Sequence, residues 1–290
     1  MTPARRGSVR PNARLAALAL AAALVAAARP AAAASGARFG SPPRTTSPPR
    51  LTLPVPAAAA GADPPQPVSG VPHLHDALDR VLRADVSHGA VDWAGLRAHD
   101  RAALLVYLDA MSHVDRRALP PADRTAFAMN VYTAAFLAQA CSEARGWSPA
   151  DGGRTIFRQP LVRLRDGVVS LDSLEGIAAA ASGRDPRVRV LLWRGARSGP
   201  ELAPRAWRGA DLDRALDAAM KAFLADRSRN RFDRGRHVAS LARVFDLAAA
   251  DAGGPDAMRA AVGRWTGLDL SGWSVTLLDW DARVPGETGR

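Results

Sequence analysis

The apolar run from Val188 to Trp193 constrains the fold more than any other segment of this chain. It is short and rich in branched and bulky side chains, and glycine and proline follow it from Gly195 to Pro200. A short apolar run bounded by turn residues is typical of a buried strand. We therefore predict a central strand over residues 188–193. The loop that leaves its end is the expected place for reactive side chains.

That loop offers little catalytic chemistry. It contains one hydroxyl, Ser198, and no cysteine, histidine or carboxylate before Glu201. Three arginines lie in the run or the loop: Arg189, Arg194 and Arg197. Alternate side chains of a strand point to opposite faces, so Arg189 is expected to be partly buried and to need an acidic partner.

The first 34 residues have the three-part pattern of a secretory signal peptide. Arginines open the chain, an uncharged run of Leu, Ala and Val spans residues 15–28, and alanine occupies positions 32 and 34. The apolar run is too short for a membrane span. We predict cleavage after Ala34 and export to the periplasm or the extracellular space, with no membrane span after cleavage. The pattern leaves Sec and twin-arginine export open.

Residues 35–71 are rich in proline and alanine, which predicts a semi-stiff linker without a hydrophobic core. The predicted domain spans residues 72–284, enough chain for one sizeable core, and residues 285–290 form a tail. Cys141 is the only cysteine, so the chain cannot form an intramolecular disulfide. We expect Cys141 to be a small core residue, and stability to come from packing.

The charge pattern argues against a nucleic-acid partner. The formal net charge is +11, but much of it lies in the predicted leader and linker, and acidic residues are interspersed with the basic ones of the domain. Nucleic-acid binding requires a clustered basic patch. His73 and His75 are predicted to be solvated, because residues two apart on a helix face different directions and cannot share a metal. We expect no metal or cofactor, and an unknown small molecule or protein as partner.

Hydrophobic periodicity and turn signals predict an α+β fold, in which several helices of a single domain pack on a small mixed or antiparallel sheet. An Asp-Gly turn at residues 166–167 predicts a β-hairpin. Asp172 with Glu175 predicts a helix that begins with a capping box. Further helices are expected near residues 74–82, 100–111, 122–141, 211–224, 244–245 and 254–266, and strands near 238–241 and 274–278.

The helix predicted over residues 122–141 carries one amide, Asn130, on its apolar face with Phe127, Val131 and Leu137. A buried amide needs hydrogen-bond partners. Asn130 is therefore expected either to fasten a neighbouring loop or to line a pocket.

Several segments resemble the motifs of one family. Residues 127–134, Phe-Ala-Met-Asn-Val-Tyr-Thr-Ala, are similar to the Phe-Trp-Ile-Asn-Ala-Tyr-Asn-Ala helix of the domain of unknown function 547 family. Residues 170–175 resemble its Ser-Leu-Asp-Asp-Ile-Glu segment, and residues 223–232 its Phe-Leu-Ala-Asp and Arg-Asn-Arg-Phe run. Val244-Phe245-Asp246 and Asp279-Trp280 also fit. The resemblance covers about residues 72–284 in order and implies the fold of that family.

The departures from the family pattern fall at its cysteine and histidine positions. Where the family has Ile-His, Cys-Ala-Ser and Ser-Cys-Pro, this chain has Val-Arg at 188–189, Arg-Gly-Ala at 194–196 and Ser-Gly-Pro at 198–200. Gly176 replaces a histidine and Thr133 an asparagine. A thiol and an imidazole are what nucleophilic catalysis needs. The resemblance thus implies a degenerate member, a pseudoenzyme.

Three functional hypotheses follow. The leading one is an exported, non-catalytic binding or scaffold module, whose predicted pocket contains Asn130, Tyr132, Glu175, Arg189, Arg194 and Ser198. The second is a hydrolase or acyl transferase that uses Ser198 as nucleophile, with an oxyanion stabilised by Asn130 or backbone amides and with His237 or His113 brought near by the fold.

The third hypothesis is an anion-binding module that uses Arg189, Arg194 and Arg197, with Arg205 nearby. The family resemblance places the helix that carries Glu175 just before the apolar run. Glu175 is therefore the predicted partner of Arg189.

Overall fold

The computed structural model describes residues 73–143, 146–150 and 155–286, which belong to one compact unit. The predicted signal peptide, the predicted linker and the last four residues of the predicted tail lie outside the described residues. The helices are α1 (Asp76–Asp85), α2 (Trp93–Gly95), α3 (Arg101–Ser112), α4 (Pro121–Ala140), α5 (Thr155–Arg158), α6 (Leu171–Ala181), α7 (Pro186–Leu191), α8 (Leu212–Ala225), α9 (Val244–Ala252) and α10 (Pro255–Thr266).

The strands form three small sheets, which with the helices confirm the predicted α+β class. They are β1 (Val86–Ser87), β2 (Ala90–Val91), β3 (Val162–Leu164), β4 (Gly167–Val169), β5 (Arg231–Asp233), β6 (Val238–Leu241) and β7 (Ser274–Leu277). β1 with β2, and β3 with β4, are antiparallel hairpins. The third sheet is mixed, since β6 pairs antiparallel with β5 and parallel with β7.

The β3–β4 hairpin was predicted correctly, but its turn lies one residue earlier than expected. Leu164 pairs with Gly167, so the two turn residues are Arg165 and Asp166. Gly167 has a φ of +139°, a conformation that glycine adopts without a steric penalty.

Helix α4 lies at the centre of the core, and its neighbours include α3 and α6. Its residues from Thr125 to Ala140 are all buried. Pro121 occupies the first turn, where proline is well tolerated because its missing N–H would have no helical partner there. A helix that is covered on every side serves as the frame of the core. The single apolar face predicted for it was therefore too narrow.

The predicted central strand over residues 188–193 is wrong, because the segment begins with helix α7. The Asp185 side chain accepts a hydrogen bond of 2.9 Å from the backbone N–H of Arg187, and Pro186 is the first helical residue. An acidic N-cap followed by proline is a helix-start signal. A short apolar run is compatible with either a strand or a buried helix, and here the cap decides between them.

The predicted core role of Cys141 is confirmed, since Cys141 is buried in the hydrophobic core. The first residue of the predicted tail contacts the domain, because the indole Nε1–H of Trp93 donates to the backbone oxygen of Pro285 at 3.0 Å. None of the helices in the described ranges combines the length and the apolarity that a membrane crossing requires.

The prediction of two solvated histidines is wrong for His75. His73 is exposed and hydrogen-bonds to Asp76, but His75 is only 4% exposed and its Nδ1 lies 2.8 Å from the hydroxyl of Tyr107. Burial, with a smaller contribution from the positive charge of Arg208, lowers the pKa of His75 to about 3. The ring therefore stays neutral in the folded protein.

This burial predicts an acid-sensitive fold. Between pH 6.5 and 3 the unfolded chain protonates His75 while the folded chain does not, so stability is lost as the pH falls through this window. From pH 7 to pH 5 the loss due to His75 is about 2 kcal/mol. Urea unfolding at both pH values should show this extra loss in the native protein and not in His75→Gln, which cannot titrate. Equal pH dependence in the two proteins would contradict the prediction.

Candidate functional site

Helix α6 carries Glu175 towards α7. Its N-cap is Ser170, whose hydroxyl accepts from the N–H of Ser173 at 3.1 Å, so the capping box predicted from Asp172 begins two residues too late. The corrected start places Glu175 in the second turn of α6, where its side chain is only 13% exposed. Because α6 packs on both α4 and α7, Glu175 faces the arginines of the α7 segment.

Glu175, Arg189, Arg194 and Asp251 form an ion network. The Glu175 carboxylate accepts hydrogen bonds from Nη1 of Arg189 and, at 2.6 Å, from Nη2 of Arg194. Arg189 also donates through Nε to Asp251 on α9, whose side chain is 1% exposed. The predicted pairing of Arg189 with Glu175 is confirmed, although a helix rather than a strand presents Arg189.

Arg194 lies just after the end of α7 and is buried. Its side chain is 5% exposed, and its Nη1 donates to the backbone oxygens of Arg189 at 2.9 Å and of Leu192 at 3.1 Å. Cations near a helix C-terminus satisfy carbonyl groups that lack a helical partner. Arg194 thus holds the end of α7 in place and links it to α6.

The charges of the ion network compensate one another. Burial alone would lower the pKa of Arg189, but its hydrogen bonds and charge interactions with Asp251 and Glu175 outweigh this and raise it. Arg197 lies outside the network, exposed, with its backbone N–H bonded to Arg283. The structure therefore does not bring Arg189, Arg194 and Arg197 together as one open anion site.

Asn130 fastens a loop. Its Nδ2 donates to the backbone oxygen of Trp207 at 2.9 Å, and its Oδ1 accepts from the Trp207 N–H at 2.9 Å. Asn130 is 1% exposed, so both bonds lie inside the protein. Of the two roles left open by the sequence, the structure supports the fastening role. Tyr132, on the same helix, is fully buried.

Ser198 is bonded on both sides to the chain near the C-terminus. Its hydroxyl accepts from the N–H of Asp281 at 2.6 Å and donates to the oxygen of Asp279 at 3.3 Å. Neither His113 nor His237 forms a hydrogen bond to Ser198 in the described part of the chain. Most of residues 191–200 are buried.

A pocket of about 260 Å³ lies beside Arg194. Its walls are largely apolar, and the larger apolar side chains are Phe157, Leu247 and Trp280. Ala196 also lines it, so the pocket adjoins residues 194–196, which match the Cys-Ala-Ser segment of the resembled family. Leu247 is 41% exposed and forms an accessible part of the pocket wall.

Arg243 is the free charge at this pocket. It is exposed and lies at the N-terminus of α9, and its side chain has no ion-pair or hydrogen-bond partner among residues 73–143, 146–150 and 155–286. The only other charged side chain among the described lining residues is Arg194, which is already bonded to Glu175. The pocket therefore combines apolar walls with one uncompensated guanidinium group.

A glycine shapes the floor of this region. Gly195 has a φ of +67°, and a Cβ atom there would overlap the ring of Phe136. Phe136 in turn packs edge-on against Trp193 with ring centres 5.1 Å apart.

Comparison with family models, with curated proteins and with solved structures finds no significant match for this chain. The resemblance to the domain of unknown function 547 family stays a prediction from the motifs.

The sequence predicted the Glu175–Arg189 pair of the ion network, but neither Asp251 nor the pocket. Glu175, Arg189 and Arg194 meet as one cluster, but Asn130 and Ser198 fasten other segments, so the six predicted residues do not form one site. The residues that line the pocket come from five parts of the chain: 149–150, 157, 194–196, 243–247 and 280–282. The sequence feature that could have indicated the pocket was Trp280, which was noted only as part of the Asp279-Trp280 motif.

Proposed function

We propose that this protein is an exported, non-catalytic binding module that takes a small anionic ligand with an apolar body in the pocket beside Arg194. The observation that carries the proposal is the unpaired Arg243 at the edge of an otherwise apolar pocket. Ligand pockets of proteins typically combine apolar walls with a few polar groups that fix orientation. Export stays part of the proposal because the signal peptide pattern supports it.

The chemistry of the ligand follows from the lining. Arginine presents a planar fork of donors that matches a carboxylate, so Arg243 would hold the anionic end. Phe157, Leu247 and Trp280 would contact the apolar end. A volume of about 260 Å³ accommodates a ligand of on the order of ten non-hydrogen atoms, judged from about 30 Å³ per water molecule.

The polar groups at the pocket favour binding over catalysis. The described lining residues include no thiol, hydroxyl, imidazole or carboxylate that could act as nucleophile or base. Arg194 is bonded to Glu175 and to two backbone carbonyls, and Ser198 to two backbone groups. The side chains of Arg194 and Ser198 therefore have structural roles.

A matched pair of probes tests the proposal. Octanoate and octan-1-ol share an apolar chain and differ in charge, and ligand-observed NMR titration of the full chain measures the affinity of each. Octanoate should bind about three- to tenfold more tightly than octanol, because a charged hydrogen bond contributes about 1 kcal/mol or more. Arg243→Gln should bring octanoate down to the affinity of octanol and leave octanol unchanged.

The control is Arg163→Gln. Arg163 is exposed on the β3–β4 hairpin, so this substitution changes the net charge equally without touching the pocket. Equal affinities for the two probes in the native protein would refute the proposal. The same octanoate loss in Arg163→Gln would also refute it, because the effect would then come from net charge.

A further inference from the structure

A second, larger groove lies on the described part of the chain between the C-terminal end of α8, strand β5 and the C-terminal end of α10. Its volume is about 940 Å³. Four basic side chains line it: Lys221, Arg227, Arg231 and Arg234. The aromatic side chains of Phe232 and Trp265 line it as well. From the sequence, these basic residues were expected to be spread along the chain among acidic ones, whereas the fold gathers them at one groove.

The positive charge of this groove is largely uncompensated. Lys221 pairs with Asp217 at 2.7 Å, but Arg227 and Arg234 have no ion-pair partner among the described residues. The Nε of Arg231 donates to the backbone oxygen of Arg227 at 3.2 Å, which joins these two residues. The described lining residues include no acidic side chain. Like charges gathered in one cleft raise the local concentration of anions.

A buried amide holds the groove in shape. Asn230, 1% exposed, donates from Nδ2 to the backbone oxygen of Phe223 at 2.8 Å and accepts at Oδ1 from the N–H of Ala242 at 3.1 Å. These bonds tie the turn after α8 to both α8 and the segment after β6. Arg227 and Arg231, which flank Asn230 in sequence, are therefore presented by a fixed backbone. Binding groups that are fixed in advance lose less entropy when a ligand binds.

We infer that this groove binds a ligand that bears at least two phosphate groups. Guanidinium groups match the oxygen geometry of phosphate, and three of them at one groove exceed what a single phosphate needs. The volume exceeds that of one inorganic phosphate, and the aromatic walls suit a less polar portion of the same ligand. The site is separate from the pocket beside Arg194, with which it shares no lining residue.

The phosphate groups could belong to a soluble oligophosphate or to a lipid headgroup. Isothermal titration calorimetry of the full chain with inorganic tripolyphosphate tests the first source. Co-sedimentation with phosphatidylcholine vesicles that contain cardiolipin, compared with pure phosphatidylcholine vesicles, tests the second. Arg227→Gln and Arg234→Gln should each weaken the binding of whichever of the two probes binds by about tenfold, because each substitution removes one charged hydrogen bond.

Two controls separate the groove from general charge effects. Arg163→Gln and Arg80→Gln make the same change of net charge at exposed positions outside both pockets and should leave binding of the probe unchanged. Both groove arginines are exposed, so their substitutions should also leave the melting temperature unchanged. If a probe binds, and only Arg227→Gln and Arg234→Gln weaken its binding, the inference is supported. The probe that binds then shows whether the phosphate groups come from a soluble oligophosphate or a lipid headgroup. Absence of binding of both probes, or an equal loss in the controls, overturns it.

Discussion

Replacing Glu175 with alanine will lower the free energy of unfolding by about 3 kcal/mol, because it removes the carboxylate shared by two arginines. Arg194 is 5% exposed and would keep its charge without an acidic partner among the described residues. Arg189, at 23% exposure, would retain Asp251 alone. Removing one member of a buried ion pair typically costs about 3 to 5 kcal/mol, and the partial exposure of Arg189 places Glu175→Ala at the lower end.

The matched control for this prediction is Glu201→Ala. Glu201 is 55% exposed and lies 3.4 Å from Arg229, so its ion pair is a surface one. Surface pairs contribute about 0 to 1 kcal/mol, and the control should lose no more than that. Urea unfolding of both variants measures the difference. A loss for Glu175→Ala as small as that of the control would show that the network does not hold α6 to α7.

Replacing Asn130 with leucine should cost about 2 to 3 kcal/mol. The substitution keeps the branched shape of the side chain but leaves the N–H and the carbonyl oxygen of Trp207 without the partner that each has now. A buried polar group without a partner costs about 1 to 3 kcal/mol. Thermal or urea unfolding of the variant measures the loss.

Ser198→Ala is the companion variant, since Ser198 also fastens backbone but is less buried than Asn130. Its loss should be about 1 kcal/mol, the net value of an ordinary hydrogen bond. Asn130→Leu should therefore be clearly the less stable of the two. An unchanged unfolding midpoint for Asn130→Leu would mean that the loop at Trp207 is held by other contacts.

Local signals predicted the elements well where one signal acted alone. The β3–β4 hairpin was found from its turn residues, and α4 from its periodicity after two prolines. The secondary structure predicted for the run after Asp185 was wrong because two sequence signals favoured different structures. Its branched side chains favoured a strand, but the cap at Asp185 and the proline after it favoured a helix, and the structure packs that helix against α8 and α9.

The site was predictable to the extent that it depends on charge pairing. The expected burial of Arg189 required an acidic partner, and the family resemblance, which places the helix of Glu175 just before the apolar run, pointed to Glu175. Asp251 was missed because it lies 62 residues away in sequence, and no local pattern reports on the packing of α7 against α9. His75 was missed for the same reason, because its burial depends on Tyr107, 32 residues later.

The ¹⁵N-resolved indole NMR spectrum of the full chain during an octanoate titration tests the central claim most directly. Trp280 lines the pocket beside Arg194 and Trp265 lines the basic groove, so their indole N–H signals report on separate places. Trp280→Phe and Trp265→Phe assign the two signals. We predict that octanoate moves the Trp280 signal and leaves the Trp265 signal in place, and that Arg243→Gln needs an about three- to tenfold higher octanoate concentration for the same Trp280 shift. A Trp280 signal that stays fixed while octanoate binds would contradict the proposed pocket.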